Sequence, residues 1–172
     1  MAKKSKASGG ATPATAALLR ADVTFREHPY AHDPRATSYG LEAAEALGVS
    51  PERVFKTLMA SLETPGGRGE LVVGVVPVTG HLDLKALARA LGASKAVMAE
   101  VAQAERATGY VAGGISPIGQ KKHHRTVLDA SALSFETVYV SGGRRGLDIE
   151  LAPADLVRLT EALTQPIGRP GH

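Results

Sequence analysis

One lysine and one turn of small residues are the parts of this chain best suited to chemistry. Lys56 falls in the run Val54-Phe55-Lys56-Thr57-Leu58-Met59-Ala60-Ser61-Leu62. In a strand, alternate residues share a face, so Lys56 stands in a row with Val54, Leu58, Ala60 and Leu62. An ammonium among aliphatic neighbours is costly to bury unless an anion meets it. A lysine reaching out to solvent from the edge of a sheet fits the same pattern. The opposite face, Phe55, Thr57, Met59 and Ser61, is the more polar one. The second stretch, Gly113-Gly114-Ile115-Ser116-Pro117-Ile118-Gly119-Gln120-Lys121-Lys122, follows the apolar Tyr110-Val111-Ala112 and runs into His123, His124 and Arg125. Glycine permits positive φ and lets a ligand approach main-chain amides closely. Successive N–H groups in such a turn hold an anion or a developing oxyanion, and the basic residues behind it are placed to meet phosphates. A surface turn followed by solvated charges fits the same composition.

Other chemistries are absent or weakly signalled. The chain has no cysteine, which rules out disulfides, thiolate metal sites and a cysteine nucleophile. His123 and His124 are adjacent and point in different directions in any regular element. His28 and His32 have helical spacing, but Pro29 and Pro34 speak against a helix there. Ser116 precedes Pro117 and lacks the G-x-S-x-G elbow, and no P-loop pattern is present. Ser141 reads as a hairpin-turn serine. Asp148, between Gly146 and Glu150 on its face, reads as directed to solvent. No metal and no cofactor are expected.

The elements that must position these residues follow from local signals. Residues 1–11 are small and polar and read as a disordered tail. Thr12 and Pro13 start a helix to about Ala21. Val23, Phe25 and Glu27 suggest a strand that Pro29 ends. Ser38 caps a helix over 39–47 with Leu41, Ala44 and Leu47 inward and Gly48 as its stop. A short helical turn at Ser50-Pro51-Glu52 leads into the Lys56 strand. That strand forms a hairpin, around Pro65-Gly66-Gly67-Arg68-Gly69, with Leu71-Val72-Val73-Gly74-Val75-Val76, a run apolar enough to be buried on both faces. Asp83 caps a helix over 84–91, Ala93 to Met98 is ambiguous, and Glu100 to Thr108 suits a helix ended by Gly109. Thr126 to Asp129 is a strand. Thr137 to Val140 and Leu147 to Leu151 form a hairpin around Ser141–Gly146, and Pro153 opens a last helix over 154–163. Tight turns between strands favour a mixed, partly antiparallel sheet over a doubly wound one.

The chain of 172 residues, 44% hydrophobic and 22% charged, suits one globular domain with an aliphatic core, since aromatics are 4% and tryptophan is absent. Its net charge is +3, and Lys3, Lys4 and Lys6 account for the excess, so a basic patch must come from local clustering. No apolar run approaches the length of a membrane span. Pro13, Arg20 and Asp22 interrupt any signal-peptide core, so the cytoplasm is the expected location.

Val54-Phe55-Lys56-Thr57-Leu58, the Gly113–Lys122 stretch and Ser141-Gly142-Gly143-Arg144-Arg145-Gly146-Leu147-Asp148 together resemble the YbaK/EbsC family of aminoacyl-tRNA deacylases, related to the editing insertion domain of bacterial prolyl-tRNA synthetases. The match runs in order from about residue 12 to 163, and it is nearer the Cys-tRNA(Pro) branch than the alanine-editing branch. The resemblance implies a single α+β domain with a strongly curved, barrel-like mixed sheet flanked by helices. The domain would span 12–165, with a flexible tail over 166–172. It implies trans-editing of Cys-tRNA(Pro), cysteine being too close in size to proline to exclude by shape. It also implies a substrate-assisted route, in which the cysteinyl thiol attacks its own ester and leaves as a thiolactone. Carried over by position, Lys56 and the backbone of Gly113 match the residues that hold the terminal adenosine and the aminoacyl carbonyl. Tyr30, Tyr39, Thr57, Ser141 and Asp148 match other pocket positions, with Tyr39 where a Phe is also usual. Gly114, Ile115, Ser116 and Pro117 complete the substrate loop. Lys121, Lys122, Arg125, Arg144 and Arg145 are expected on the acceptor stem. The implied partners are the acceptor end of tRNA(Pro) and prolyl-tRNA synthetase, with no membrane. The rivals are another editing specificity such as Ala-tRNA(Pro), a non-catalytic tRNA-binding or synthetase-binding module, and a structural domain with an incidental glycine turn.

Overall fold

In the computed structural model, which describes residues 11–170, capping residues define where helices begin. Thr12 accepts from the amide of Thr15 and opens helix α1 (Pro13–Arg20). Ser38 does the same for α2 (Tyr39–Leu47), and Gly48 closes it at φ 66. Asp83 caps α3 (Leu84–Ala90). Helices α4 (Val101–Thr108) and α5 (Pro153–Thr160) complete the set. The inward stripe of α2 is Ala43 and Ala44, and Leu41, expected inward, is 46% exposed. The reason is close approach: a Cβ on Gly40 would collide with Val78, so small residues must face the sheet.

The strands are β1 (Phe25–Pro29), β2 (Phe55–Leu62), β3 (Glu70–Pro77), β4 (Gly80–Leu82), β5 (Ala96–Met98), β6 (Thr126–Asp129), β7 (Val138–Arg144), β8 (Leu147–Leu151), β9 (Leu163–Gln165) and β10 (Gly168–Pro170). They form a five-stranded sheet of order β5-β2-β3-β6-β9, a three-stranded sheet β1-β8-β7 and a pair β10-β4. The large sheet is mixed: β2 runs antiparallel to β3 and β5, whereas β3, β6 and β9 are parallel. The α+β class and the mixed sheet stand. The barrel-like, strongly curved sheet does not, because none of the three sheets closes on itself. A single bridge, Val54 to Tyr139, joins the two larger sheets, and side-chain packing between them takes the place of a continuous ladder.

That packing has two main layers. Phe25, Phe55, Met59, Val73, Val75, Leu128, Val140, Ile149 and Leu156 lie in one buried cluster. Ala60, Leu62, Val72, Val76, Leu87, Val127 and Ile167 lie in the other. Strands β2 and β3 contribute to both, so they are buried on both faces. The C-terminal segment corrects a further expectation. Ile167 is fully buried, and β10 pairs with β4. The Asp129 carboxylate accepts from the amides of Ile167 (2.9 Å) and Gly168 (2.8 Å). The chain is thus docked as far as Pro170 rather than loose from residue 166. The expected disordered tail lies, except for Ala11, outside the described residues.

Candidate active site

The site is built on an open edge. Strand β2 pairs with β3 along its whole length, but with β5 only from Ala60 to Leu62. From Phe55 to Leu58 no strand among the described residues is paired to the β5 side of β2, and a cavity of about 360 Å³ lies there. Because the wall is an edge, Lys56 and Thr57 both border the cavity although their side chains leave opposite faces of the strand. The start of α2, the β5–α4 junction, the Gly113 loop and the β7–β8 hairpin supply the other walls.

Lys56 and Gly113 border the same cavity, as do Tyr30, Tyr39, Thr57, Ile115, Ser141 and Asp148. Gly114, Ser116 and Pro117 do not; they shape the loop. A Cβ on Gly114 would fall 2.8 Å from the Arg144 Cα. Ser116 is fully buried and its Oγ accepts from the Ile118 amide at 3.2 Å. Gln120 donates to the Ser116 carbonyl at 3.0 Å and holds His124 at 2.8 Å.

Electrostatically the cavity contains groups set by burial rather than by pairing. Lys56 is half-buried, and desolvation pulls its pKa below the usual lysine value. Among the described residues it has no ion-pair partner. The hydroxyl of Thr57 is buried and makes no hydrogen bond to the described residues. Asp148, only 6% exposed, is pushed up to about 7 by burial. Tyr30 rises to about 12, mainly through burial and then through the charge of Asp148. Asp148 therefore does not face solvent, as its neighbours in sequence suggested. Nor is Ser141 a turn residue. Strand β7 runs on to Arg144 with an irregularity after Ser141, which places Ser141 directly opposite Asp148. On the other side of Asp148 stands His28 of β1. This row is not a triad: His28 Nε2 lies 2.9 Å from Glu150, and Ser141 Oγ accepts from the Gly143 amide at 3.2 Å.

The basic residues separate. Lys121 and Lys122 are exposed. Arg125 is held by both oxygens of Glu70 at 2.8 and 2.7 Å and donates to the Leu91 carbonyl at 3.2 Å. Arg144 is half-buried beside Gly114. Arg145 lies over the Tyr39 ring, 5.0 Å from its centroid. Sequence reasoning missed the apolar lip: Met98 and Val101 border the cavity and are 48% and 61% exposed. The ambiguous run Ala93 to Met98 hid the Met98 half of it. Among the described residues no three His, Asp or Glu side chains form a metal-holding group, and no helix there is long and apolar enough to cross a membrane.

The profile of the aminoacyl-tRNA editing domain matches residues 32–159. A protein of Enterococcus faecalis, provisionally named Cys-tRNA(Pro)/Cys-tRNA(Cys) deacylase EbsC, is 41% identical over 138 residues, which cover 80% of this chain and 81% of that one. Among solved structures, hypothetical protein APE2540 has a TM-score of 0.76 at 26% identity, covering 88% of this chain and 96% of its own. A candidate trans-editing enzyme for prolyl tRNA synthetase has a TM-score of 0.75 at 23% identity, covering 91% and 95%, a likeness of fold. The sequence match over most of the length establishes that this chain belongs to the aminoacyl-tRNA editing domain family.

Proposed function

We propose that this chain deacylates mischarged Cys-tRNA(Pro) in trans, by assisting attack of the cysteinyl thiol on its own ester. The enzyme class, an aminoacyl-tRNA deacylase, follows from the family and from the relative's name. The observation that carries the finer reading is the shared cavity: an unpaired ammonium, Lys56, and the Gly113 loop border one space of about 360 Å³. Among the described residues no serine–histidine pair stands there to attack an ester, and the chain has no cysteine. A site of this kind holds and polarises an ester whose nucleophile the substrate brings. In the step, the sulfur–carbonyl carbon bond forms and the ester carbon–oxygen bond breaks. The thiol proton ends on the departing ribose oxygen, and a thiolactone leaves. Lys56 and the Gly113 amide stabilise the charge that gathers on the carbonyl oxygen and the leaving oxygen. Lys121 and Lys122 are the exposed cations for the acceptor stem. A small cavity cannot read a whole tRNA, so prolyl-tRNA synthetase is the proposed source of tRNA selection.

The test is Lys56→Ala. Removing one preorganised charge from such a site costs on the order of a hundredfold in rate or more. The variant is expected to lose Cys-tRNA(Pro) deacylation while melting at the wild-type temperature. Full activity would remove Lys56 from the chemistry.

A further inference from the structure

Three segments meet at the mouth of the cavity, and Arg145 is the residue that joins them. It occupies the tip of the β7–β8 hairpin, where Arg144 pairs with Leu147 and Gly146 turns the chain at φ 84. A Cβ at Gly146 would press on the Tyr30 carbonyl at 2.8 Å, so the tip is fixed against the β1 end. From there the guanidinium lies over Tyr39, the first residue of α2, 5.0 Å from the ring centroid. Arg145 Nε also donates to the Ala112 carbonyl at 2.8 Å. Tyr39 is braced on another side by His32, with ring centroids 5.8 Å apart, and His32 is itself held by Glu42 at 2.8 Å. Gly113 lies against both partners: a Cβ there would fall 2.9 Å from Arg145 Nε and 2.9 Å from Tyr39 Cε1.

Arg145 does not border the cavity, but Tyr39, Ala112 and Gly113 do. In a trans peptide the C=O and the N–H point in opposite directions, and the described chain has no cis peptide. By holding the Ala112 carbonyl on its own side, Arg145 turns the Gly113 N–H away from itself. That N–H makes no hydrogen bond to the described residues, so it is left as a donor for a ligand. A planar guanidinium stacks on a ring and donates in its plane at the same time, which an ammonium cannot do.

We propose that Arg145 is a positioning residue: it orients the Ala112–Gly113 peptide and fixes Tyr39, rather than serving as an exposed contact to tRNA phosphate. The proposal deepens the deacylase reading and rests on it. The two roles separate in kinetics. A phosphate contact works through charge, so Arg145→Lys would largely keep it, and its loss would raise KM and flatten the salt dependence of binding. A positioning role works through geometry. Arg145→Lys and Arg145→Ala are then expected to lower kcat on Cys-tRNA(Pro) about tenfold to a hundredfold, with KM and its salt slope at wild-type values. Tyr39→Leu combined with Arg145→Ala is expected to be no worse than Arg145→Ala alone, since the two act as a unit. Wild-type kcat in Arg145→Lys, or a raised KM with a flatter salt slope, would overturn the proposal. The Gly113 amide resonance in a ¹⁵N–¹H spectrum gives a readout independent of activity. It is expected to move in Arg145→Lys and stay in place in the exposed control Arg35→Ala. Should wild-type protein hydrolyse no aminoacyl-tRNA, the deacylase reading fails; the Gly113 resonance then decides alone, and an unmoved peak overturns the positioning role.

Discussion

Asp148 shows how a single side chain reports on its surroundings. Burial alone pushes its pKa up to about 7, so the folded protein holds its proton more tightly than the unfolded chain does. The sign of the linkage follows: the stability this proton contributes is full below about pH 4 and is lost as pH rises through 7. Asp148→Asn keeps the shape and removes the titration. Its stability relative to wild type is expected to climb between pH 5 and pH 7, by on the order of 1 kcal/mol per pH unit, in denaturant titrations at a series of pH values. A difference that stays flat over that range would mean that a cation meets the carboxylate in solution. Lys56 shows the same influence with the opposite sign, burial lowering its pKa. Among the described residues neither group has an ion-pair partner, an arrangement that favours a polar ligand over the empty state.

At the scale of elements, the Gly113 loop carries the sharpest constraint. Gly113 sits at φ 84, where a side chain is strained, and the space a Cβ needs is taken by Arg145 and Tyr39. Gly113→Ala is expected to cost about 1 to 3 kcal/mol in stability and at least tenfold in deacylation, read by denaturant unfolding and single-turnover assays. Wild-type rate in that variant would detach the loop from the reaction. Much of this architecture was legible locally. Thr12, Ser38 and Asp83 each cap the helix that follows, and the β2–β3 hairpin follows from its turn and its β-branched run. What local signals do not carry is pairing between distant segments. That β1 lies on β8, and so places His28 beside Asp148, has no mark in either segment. The expected solvent-facing Asp148 failed for that reason, and the turn-bound Ser141 failed because β7 runs past it to Arg144 with an irregularity. Lys56 was legible as out of place in its row, but the open edge that explains it depends on where β5 stops.

For the molecule as a whole, the sheets meet through side chains rather than through a closed ladder, and that leaves room for a cavity between them. The C-terminal strand β10 and buried Ile167 fasten the large sheet, while α2 and the Gly113 loop border the cavity and the hairpin tip packs against both. Within this frame the chain supplies an ammonium, the Gly113 amide and an apolar lip, and in the proposed reaction the attacking group comes with the substrate. The most direct measurement is deacylation of Cys-tRNA(Pro) with its thiol free and with the same thiol alkylated, alongside Ala-tRNA(Pro). The account predicts rapid loss of cysteine from the first and no loss above the uncatalysed rate from the other two. Equal rates with free and blocked thiol would contradict it.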